Sequence, residues 1–411
     1  MSIKQFNKKN LILIESQNIG NFLNKGEGVI VTQNKNKNNI SQLTIREKRV
    51  LIALEDKPLA TFDELASMTD IPKSVVFGIV KKLEGPPNSI PYFQVKALPH
   101  LHNLGLERVD VIVKANSEKK LQIIKKVSDE HPYIVFYNRT YGDVNGMLIQ
   151  FENPIGSINL IQNLFQKLKN IGHIDDFNIL KYSLPTVYSS IKIDAWDSEY
   201  LSWRFSWKDW FEKNNSSAPL TSNNSPNKFE APGSTKSWIK KQDIAIIGEL
   251  TWNARRKNSE MIAKLKTRGW EISVPTFSRR LKKVEEECIE THRTYINPIN
   301  FDVLNTFLIW GYGDEEELQK IKTRMEIHPI PFLSTLKIDG YKLYWYLHLP
   351  TSQMSDLLHY LRPKLPELHL NYIDSPRTQT YLLNADAWDE KKQEWIVDED
   401  FYINQVLETL T

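Results

Sequence analysis

The chain has 411 residues, a quarter of them charged and 41% hydrophobic, more than one ordinary core can hold, and this predicts several domains. A formal charge of +3 excludes nucleic-acid affinity through global basicity, so any such affinity must come from local clusters of Lys and Arg. The single cysteine, Cys288, excludes an intrachain disulfide and argues against a Cys-rich zinc site or a Cys-held iron-sulfur cluster. No apolar run reaches the roughly 18 residues of a membrane helix, so a cytoplasmic protein without a membrane partner is expected.

Residues 1–42 are rich in Asn and Lys and read as a flexible basic arm. Residues 43–100 carry three helical patterns. The first has Val50, Leu51 and Leu54 on one face, the second is capped by Thr61 or Asp63, and the third has Val76, Val80 and Leu83 as one stripe. Residues 91–95 are expected to form a wing strand. Over 101–212 follow a β-branched run at 109–113, a helix, two strand-like runs, a second helix and a last strand near 177–180. That order, β-α-β-β-α-β, is the split βαβ arrangement. A tryptophan-rich extension (Trp196, Trp203, Trp207, Trp210) ends this half, and 213–237 reads as a linker.

Residues 238–298 and 299–411 then repeat the plan. Asp194-Ala195-Trp196-Asp197 with Trp203 recurs as Asp386-Ala387-Trp388-Asp389 with Trp395, His131-Pro132 as His328-Pro329, and Pro154 as Pro350. Offsets between 192 and 197, in unchanged order, indicate a duplication. Ile246, Ile247 and Leu250 match the first helical stripe, and Phe277, Leu281 and Val284 match the third. Residues 294–296 match the wing. The expected fold class is α+β: two tandem copies of a winged helix-turn-helix followed by a ferredoxin-like effector-type domain.

The segment Ile272-Ser273-Val274-Pro275-Thr276-Phe277-Ser278-Arg279-Arg280-Leu281-Lys282-Lys283-Val284-Glu285 resembles the third helix of the Lrp/AsnC family of feast/famine regulators, and the likeness spans roughly 43–180 and 239–373. The resemblance implies double-stranded DNA as partner and a small-molecule effector. It also implies effector domains that pair, here as an intrachain pseudo-dimer with a homodimer or larger assembly open. The family's Gly-x-Tyr-Asp effector turn is loosely echoed by Gly142 and Asp143, and by Asp339 and Gly340.

Charge separates the two copies. Residues 43–84 hold seven Lys/Arg against seven Asp/Glu, whereas 239–285 hold twelve against five, a net of +7. Phosphate neutralisation and polar reach into the major groove both favour the second copy as the DNA reader. Thr276, Ser278, Arg279, Arg280, Lys282 and Lys283 are placed on its third helix, with Arg255, Arg256 and Lys257 near the backbone. Lys73, Lys81 and Lys82 are the first copy's candidates for phosphate contact.

No phosphate loop, metal-binding His pair or nucleophile elbow is present, so no enzyme activity, cofactor or metal is expected. The alternatives are an interaction scaffold that keeps the fold without binding DNA, and the siroheme decarboxylases, enzymes of the same two-domain architecture. Their expected aromatic and His-rich strand pattern is not evident at this level.

Overall fold

Thr44 and Thr61 each open a helix through a capping box, their hydroxyls accepting from the backbone of Glu47 and Glu64 while those carboxylates accept from the cap N–H. Such local signals set the element boundaries in a computed structural model that describes residues 14–15, 43–85, 91–181, 186–212, 232–301, 303 and 305–410. Apart from residues 14–15, the expected basic arm lies outside the described residues, as does most of the linker.

A short strand, β1 (Ile14–Glu15), precedes three helices, α1 (Ile45–Asp56), α2 (Phe62–Thr69) and α3 (Lys73–Glu84). Then come β2 (Phe93–Pro99), β3 (Leu106–Lys114), α4 (Glu118–Glu130), β4 (Ile134–Gly142), β5 (Gly146–Pro154), α5 (Ile158–Asn170), β6 (Asp176–Leu180) and β7 (Val187–Ser189). The first extension supplies β8 (Trp196–Asp197), β9 (Ser202–Trp203) and α6 (Trp207–Glu212). In the second half α7 (Lys241–Asn253), α8 (Asn258–Thr267) and α9 (Val274–Glu287) lead to β10 (Ile289–Ile296), β11 (Asn305–Tyr312), α10 (Glu315–Ile327), β12 (Ser334–Asp339), β13 (Lys342–Leu349), α11 (Thr351–Leu361) and β14 (Glu367–Ile373). β15 (Gln379–Thr380), β16 (Trp388–Asp389), β17 (Glu394–Trp395) and α12 (Gln405–Glu408) close the chain.

One mixed α/β sheet unites the halves in the order β6-β3-β5-β4-β14-β11-β13-β12-β7, with β15 bridging β4 and β1. Its first and last strands are consecutive in the chain. Only residues 181–186 join them, at most about 25 Å of extended chain, so the sheet must curl on itself. Period-2 alternation divides its faces. Val109, Val111 and Phe151 pack under Ile124, Ile161 and Phe165 of α4 and α5, and Leu343, Trp345 and Leu347 pack under Leu318, Ile321 and Leu357 of α10 and α11. The alternate residues Ile112, Leu148, Leu308, Tyr344 and Ile373 meet on the inner face.

The expected wings do not form within each copy. β2 instead pairs antiparallel with β10, Lys96 opposite Arg293 and Gln94 opposite Tyr295. Each strand finds its backbone partner in the other half, and the cores are exchanged accordingly. The stripe Val76, Val80 and Leu83 belongs to the core beneath the second half's sheet, while Phe277, Leu281 and Val284 belong to that beneath the first.

The extensions follow the same exchange. Trp196 and Trp203 contact edge to face at 5.3 Å, as do Trp388 and Trp395 at 5.2 Å, and Asp197 and Asp389 accept backbone N–H groups of the turns between them. The Trp203 and Trp210 indoles donate to Phe301 and His328 carbonyls, and Trp395 donates to that of Leu104. The tryptophans are therefore packing residues, and the N–H groups of Trp203, Trp210 and Trp395 also secure one half to the other.

Two polar contacts across the halves generate predictions. Lys337 and Asp110, both buried, pair at 2.6 Å, and Gln150 donates to the second carboxylate oxygen. Lys337→Met leaves Asp110 uncompensated and lowers the unfolding free energy by about 3–5 kcal/mol in denaturant titration. Glu55 accepts from the Ile193 backbone, docking the first extension on α1; burial, opposed by Lys192, raises its pKa to about 8. A carboxyl raised in the folded state contributes stability below its unfolded pKa and loses it as pH climbs through the folded value. Wild-type Tm is therefore expected to fall between about pH 4.5 and 8 more steeply than that of Glu55→Gln.

Candidate functional site, a chamber between the sheet and the crossed ribbon

A cavity of about 140 Å³ opens on the inner face of the sheet, lined by Arg108, Phe136, Leu148, Gln150, Thr335, Tyr344 and Tyr346. The lining comes from both halves because the sheet does. In β3, Arg108 and Asp110 alternate with Val109 and Val111, so the polar residues point inward while the valines face the helices. In β13, Tyr344, Tyr346 and His348 alternate with Leu343, Trp345 and Leu347 in the same way.

The crossed ribbon adds cations and a phenol at the margin. The Lys96 ammonium lies 4.5 Å from the centre of the Tyr295 ring, and the Arg293 guanidinium 4.5 Å from that of Tyr188 on β7. Burial pulls Lys96 down to about 8 and pushes Tyr295 up to about 12. Arg293 is likewise depressed by burial, partly offset by Tyr188 and Glu290. For Arg108, burial opposes the charge, but Glu152 at 2.6 Å outweighs it and holds the guanidinium above its ordinary value. The Tyr346 phenol is raised by burial and by Tyr295, and its ring lies 5.6 Å from His348.

His348 is half-buried, and burial lowers it to about 4, so the imidazole is neutral at physiological pH. Its Nδ1 lies 2.9 Å from the Thr306 hydroxyl across β11 and β13, and Thr306 in turn contacts the Ser375 hydroxyl. Arg108, Tyr344 and Tyr346 thus line the cavity, His348 stands beside Tyr346, and Lys96, Arg293, Tyr188 and Tyr295 pair with one another along the ribbon and β7. Such a set suits a flat, carboxylate-bearing ligand: the cations meet its charge and the rings its faces.

Sequence reasoning missed this site. The signal was the alternation in β3 and β13, where charged, phenolic and imidazole side chains occupy every second position of strands otherwise fully buried.

The residues assigned to DNA divide sharply. Arg280 is tied to buried Asp243, and Arg256, together with Arg268, to buried Glu249. Arg255 donates to the carbonyls of Pro58 and Ala60, joining the two helical units. These four guanidinium groups point inward, three to buried carboxylates and Arg255 to backbone carbonyls of the first helical unit. Lys73, Lys81 and Lys82 pair with Asp63, Glu84 and Glu47. Lys283 lies over the Trp238 ring at 4.1 Å and 3.9 Å from Glu287, and Thr276 bonds to the capping Ser273. Lys257, Ser278, Arg279 and Lys282 are exposed, the last 3.9 Å from Glu286.

The effector-turn candidates do not line the cavity. Gly142, at φ 126°, seats its backbone where a Cβ would lie 2.5 Å from the Leu370 carbonyl, and Asp143 accepts from Leu370 N–H and contacts His369. Asp339 and Gly340 form the turn from β12 to β13, Gly340 supplying φ 58°. Among the described residues no cluster of metal-ligating side chains occurs, and no helix is long and apolar enough to cross a membrane.

No protein-family model matches the chain, and no curated protein matches it. Among solved structures, it is similar to the siroheme decarboxylase NirDL in complex with an iron-uroporphyrin III analogue (12% identity, 88% of this chain and 99% of that one, TM-score 0.46). It is also similar to the siroheme decarboxylase NirDL in a second structure (11%, 89% and 99%, TM-score 0.47). The transcriptional regulator AsnC of E. coli aligns with 35% of this chain and 94% of its own, at 15% identity and TM-score 0.26. The expectation of a chain without enzyme activity is corrected by these matches: the structures aligned over nearly its whole length are those of an enzyme.

Proposed function

We propose that the chain is a decarboxylase of the siroheme decarboxylase type, acting on a carboxylate-bearing tetrapyrrole held in the chamber. On this reading it consists of two tandem winged helix-turn-helix and ferredoxin-like units, divided at 43–100, 101–212, 238–298 and 299–411. The observation that supports the proposal is a cavity on the inner sheet face lined by Arg108, Gln150, Tyr344 and Tyr346 from both halves, with the cation and phenol pairs Lys96–Tyr295 and Arg293–Tyr188 near its margin. Cations there hold carboxylates strongly because little water screens them. A volume of about 140 Å³ accepts one carboxylate arm or one ring of such a ligand.

Decarboxylation breaks the bond from carbon to carboxylate, releases CO₂ and leaves an electron pair on carbon that takes up a proton. Tyr346, which lines the cavity and is held protonated by burial, is a hydroxyl donor for that proton. The test is anaerobic incubation with siroheme and measurement of released CO₂. Uroporphyrin III is expected to quench tryptophan fluorescence on binding, and Lys96→Ala with Arg293→Ala to weaken it about 10–100-fold, since hydrogen bonds to charged groups are worth about 1.5–3 kcal/mol. Absence of CO₂ release together with unchanged affinity in the double variant would sink the assignment.

The exposed face of α9 supports a second reading, duplex DNA binding through Ser278, Arg279, Lys282 and Lys257. Salt-dependent binding that disappears in Arg279→Ala with Lys282→Ala is the expected result in a gel-shift titration. Binding left intact in that variant would remove this reading.

A further inference from the structure

The two seams between the halves are built differently. At one, β14 pairs with β4, Tyr372 opposite Tyr141. The turn after β4, residues 141–145 between Thr140 and its partner Gly146, covers the edge of β14. There the Asp143 N–H donates to the Leu370 carbonyl, the Asp143 carboxylate accepts from Leu370 N–H, and Asn371 donates to the Val144 carbonyl. At the other seam the equivalent turn has only Gly340 and Tyr341 between Asp339 and its partner Lys342. Ile179, opposite Val111 as Leu370 is opposite Ile309, is the counterpart of Leu370, yet among the described residues β6 pairs with β3 alone. The shorter hairpin supplies neither the backbone nor the carboxylate that covers the matching edge.

A cavity of about 40 Å³ lies at this open seam, lined by the end of β6 with Lys181, by Trp310, Gly311 and Tyr312 of β11, and by Lys342 of β13. Its charge is opposite to that of Asp143. Lys181 lies 3.0 Å from Glu107, and Asp339, opposite Lys342 in the register, is not among the lining residues. Trp310 stacks on His369 at 4.0 Å and is 8% exposed, and its buried indole N–H has no hydrogen-bond partner among the described residues. An unsatisfied buried donor is costly, and in a folded protein it marks a place for a water or an ion.

We propose that the open seam is a carboxylate-binding site, in which the carboxylate of a ligand accepts from the Trp310 indole N–H and pairs with Lys342, taking the place that Asp143 holds at the closed seam. A carboxylate only accepts, and its two oxygens can meet several donors at once. Pairing with an ammonium makes such bonds charge-assisted. The cavity admits little beyond the carboxylate itself, so the rest of the ligand stands outside the seam. A free small acid and a side arm of a tetrapyrrole both present this group; only the second source rests on the reading of the chamber given above.

The full chain is labelled with 15N at the tryptophan indoles, and the Trp310 resonance is assigned by its loss in Trp310→Phe. Sodium acetate is titrated against sodium chloride at constant ionic strength, and metal-free uroporphyrin III in a separate series. A saturable downfield shift of the Trp310 N–H with acetate is expected where a small acid suffices, and with uroporphyrin III alone where the tetrapyrrole arm is the source. In either series Lys342→Met should weaken binding about 10-fold, because the charge assistance is lost. Unchanged positions of the other indole signals show that this variant is folded. A Trp310 resonance that moves in neither series, or moves equally in Lys342→Met, overturns the proposal. If uroporphyrin III quenches the other tryptophans while the Trp310 resonance stays fixed in both series, the chamber reading stands and the seam site alone fails. If acetate shifts Trp310 while uroporphyrin III does not bind, the seam site stands without the chamber reading.

Discussion

The antiparallel pairing of β2 with β10 is the constraint on which the rest of the molecule depends. A strand that follows three helices must place its backbone N–H and C=O groups somewhere, and each copy of this chain places them on the other. Once that ribbon forms, each helical trio lies over the opposite half's sheet, and the two hydrophobic cores each contain residues from both halves. The ribbon also carries Lys96, Arg293 and Tyr295 to the margin of the inner sheet face. Exchange of cores and construction of the chamber are thus one event.

Covalent linkage lets two copies sharing one interior diverge. At matching positions of the two sheets, Arg108 faces Glu152 while Thr306 faces His348, and Gln150 corresponds to Tyr346. One side is closed by ion pairs, Arg108 with Glu152 and Lys337 with Asp110; the other is built of neutral hydroxyls and an imidazole. Charged pairs in a low-dielectric interior hold a fixed geometry, whereas neutral donors and acceptors stay available to a ligand.

The helical units show the same economy of charge. The net +7 of residues 239–285 looks in the sequence like a uniformly basic surface, yet Arg256, Arg268 and Arg280 are drawn inward by two buried carboxylates, Glu249 and Asp243. Arg255 is committed to the first unit's backbone. The net charge therefore overstates the field outside, where Arg279, Lys282 and Lys257 are the exposed cations among those assigned.

Much of this was legible locally. The stripes Val76, Val80 and Leu83 and Phe277, Leu281 and Val284 are buried because helical periodicity is a local property, and Thr61 caps α2 for the same reason. The repeated Asp-Ala-Trp-Asp segments announced two equivalent extensions, whose Asp side chains hold the turns that follow. The wing was misplaced because strand pairing is non-local: residues 91–95 bear strand character but no mark of their partner. Likewise, the inward turn of Arg280 requires Asp243, 37 positions away, and the chamber requires Arg108 and Gln150 of one half to meet Tyr344 and Tyr346 of the other. By itself the sequence determined which segments become helix or strand and which face of each is apolar, since periodicity and capping act within a few residues. Only the tertiary structure decided which strands pair, which cations are spent inside, and which side chains line the cavity, because these follow from packing between residues far apart in the chain.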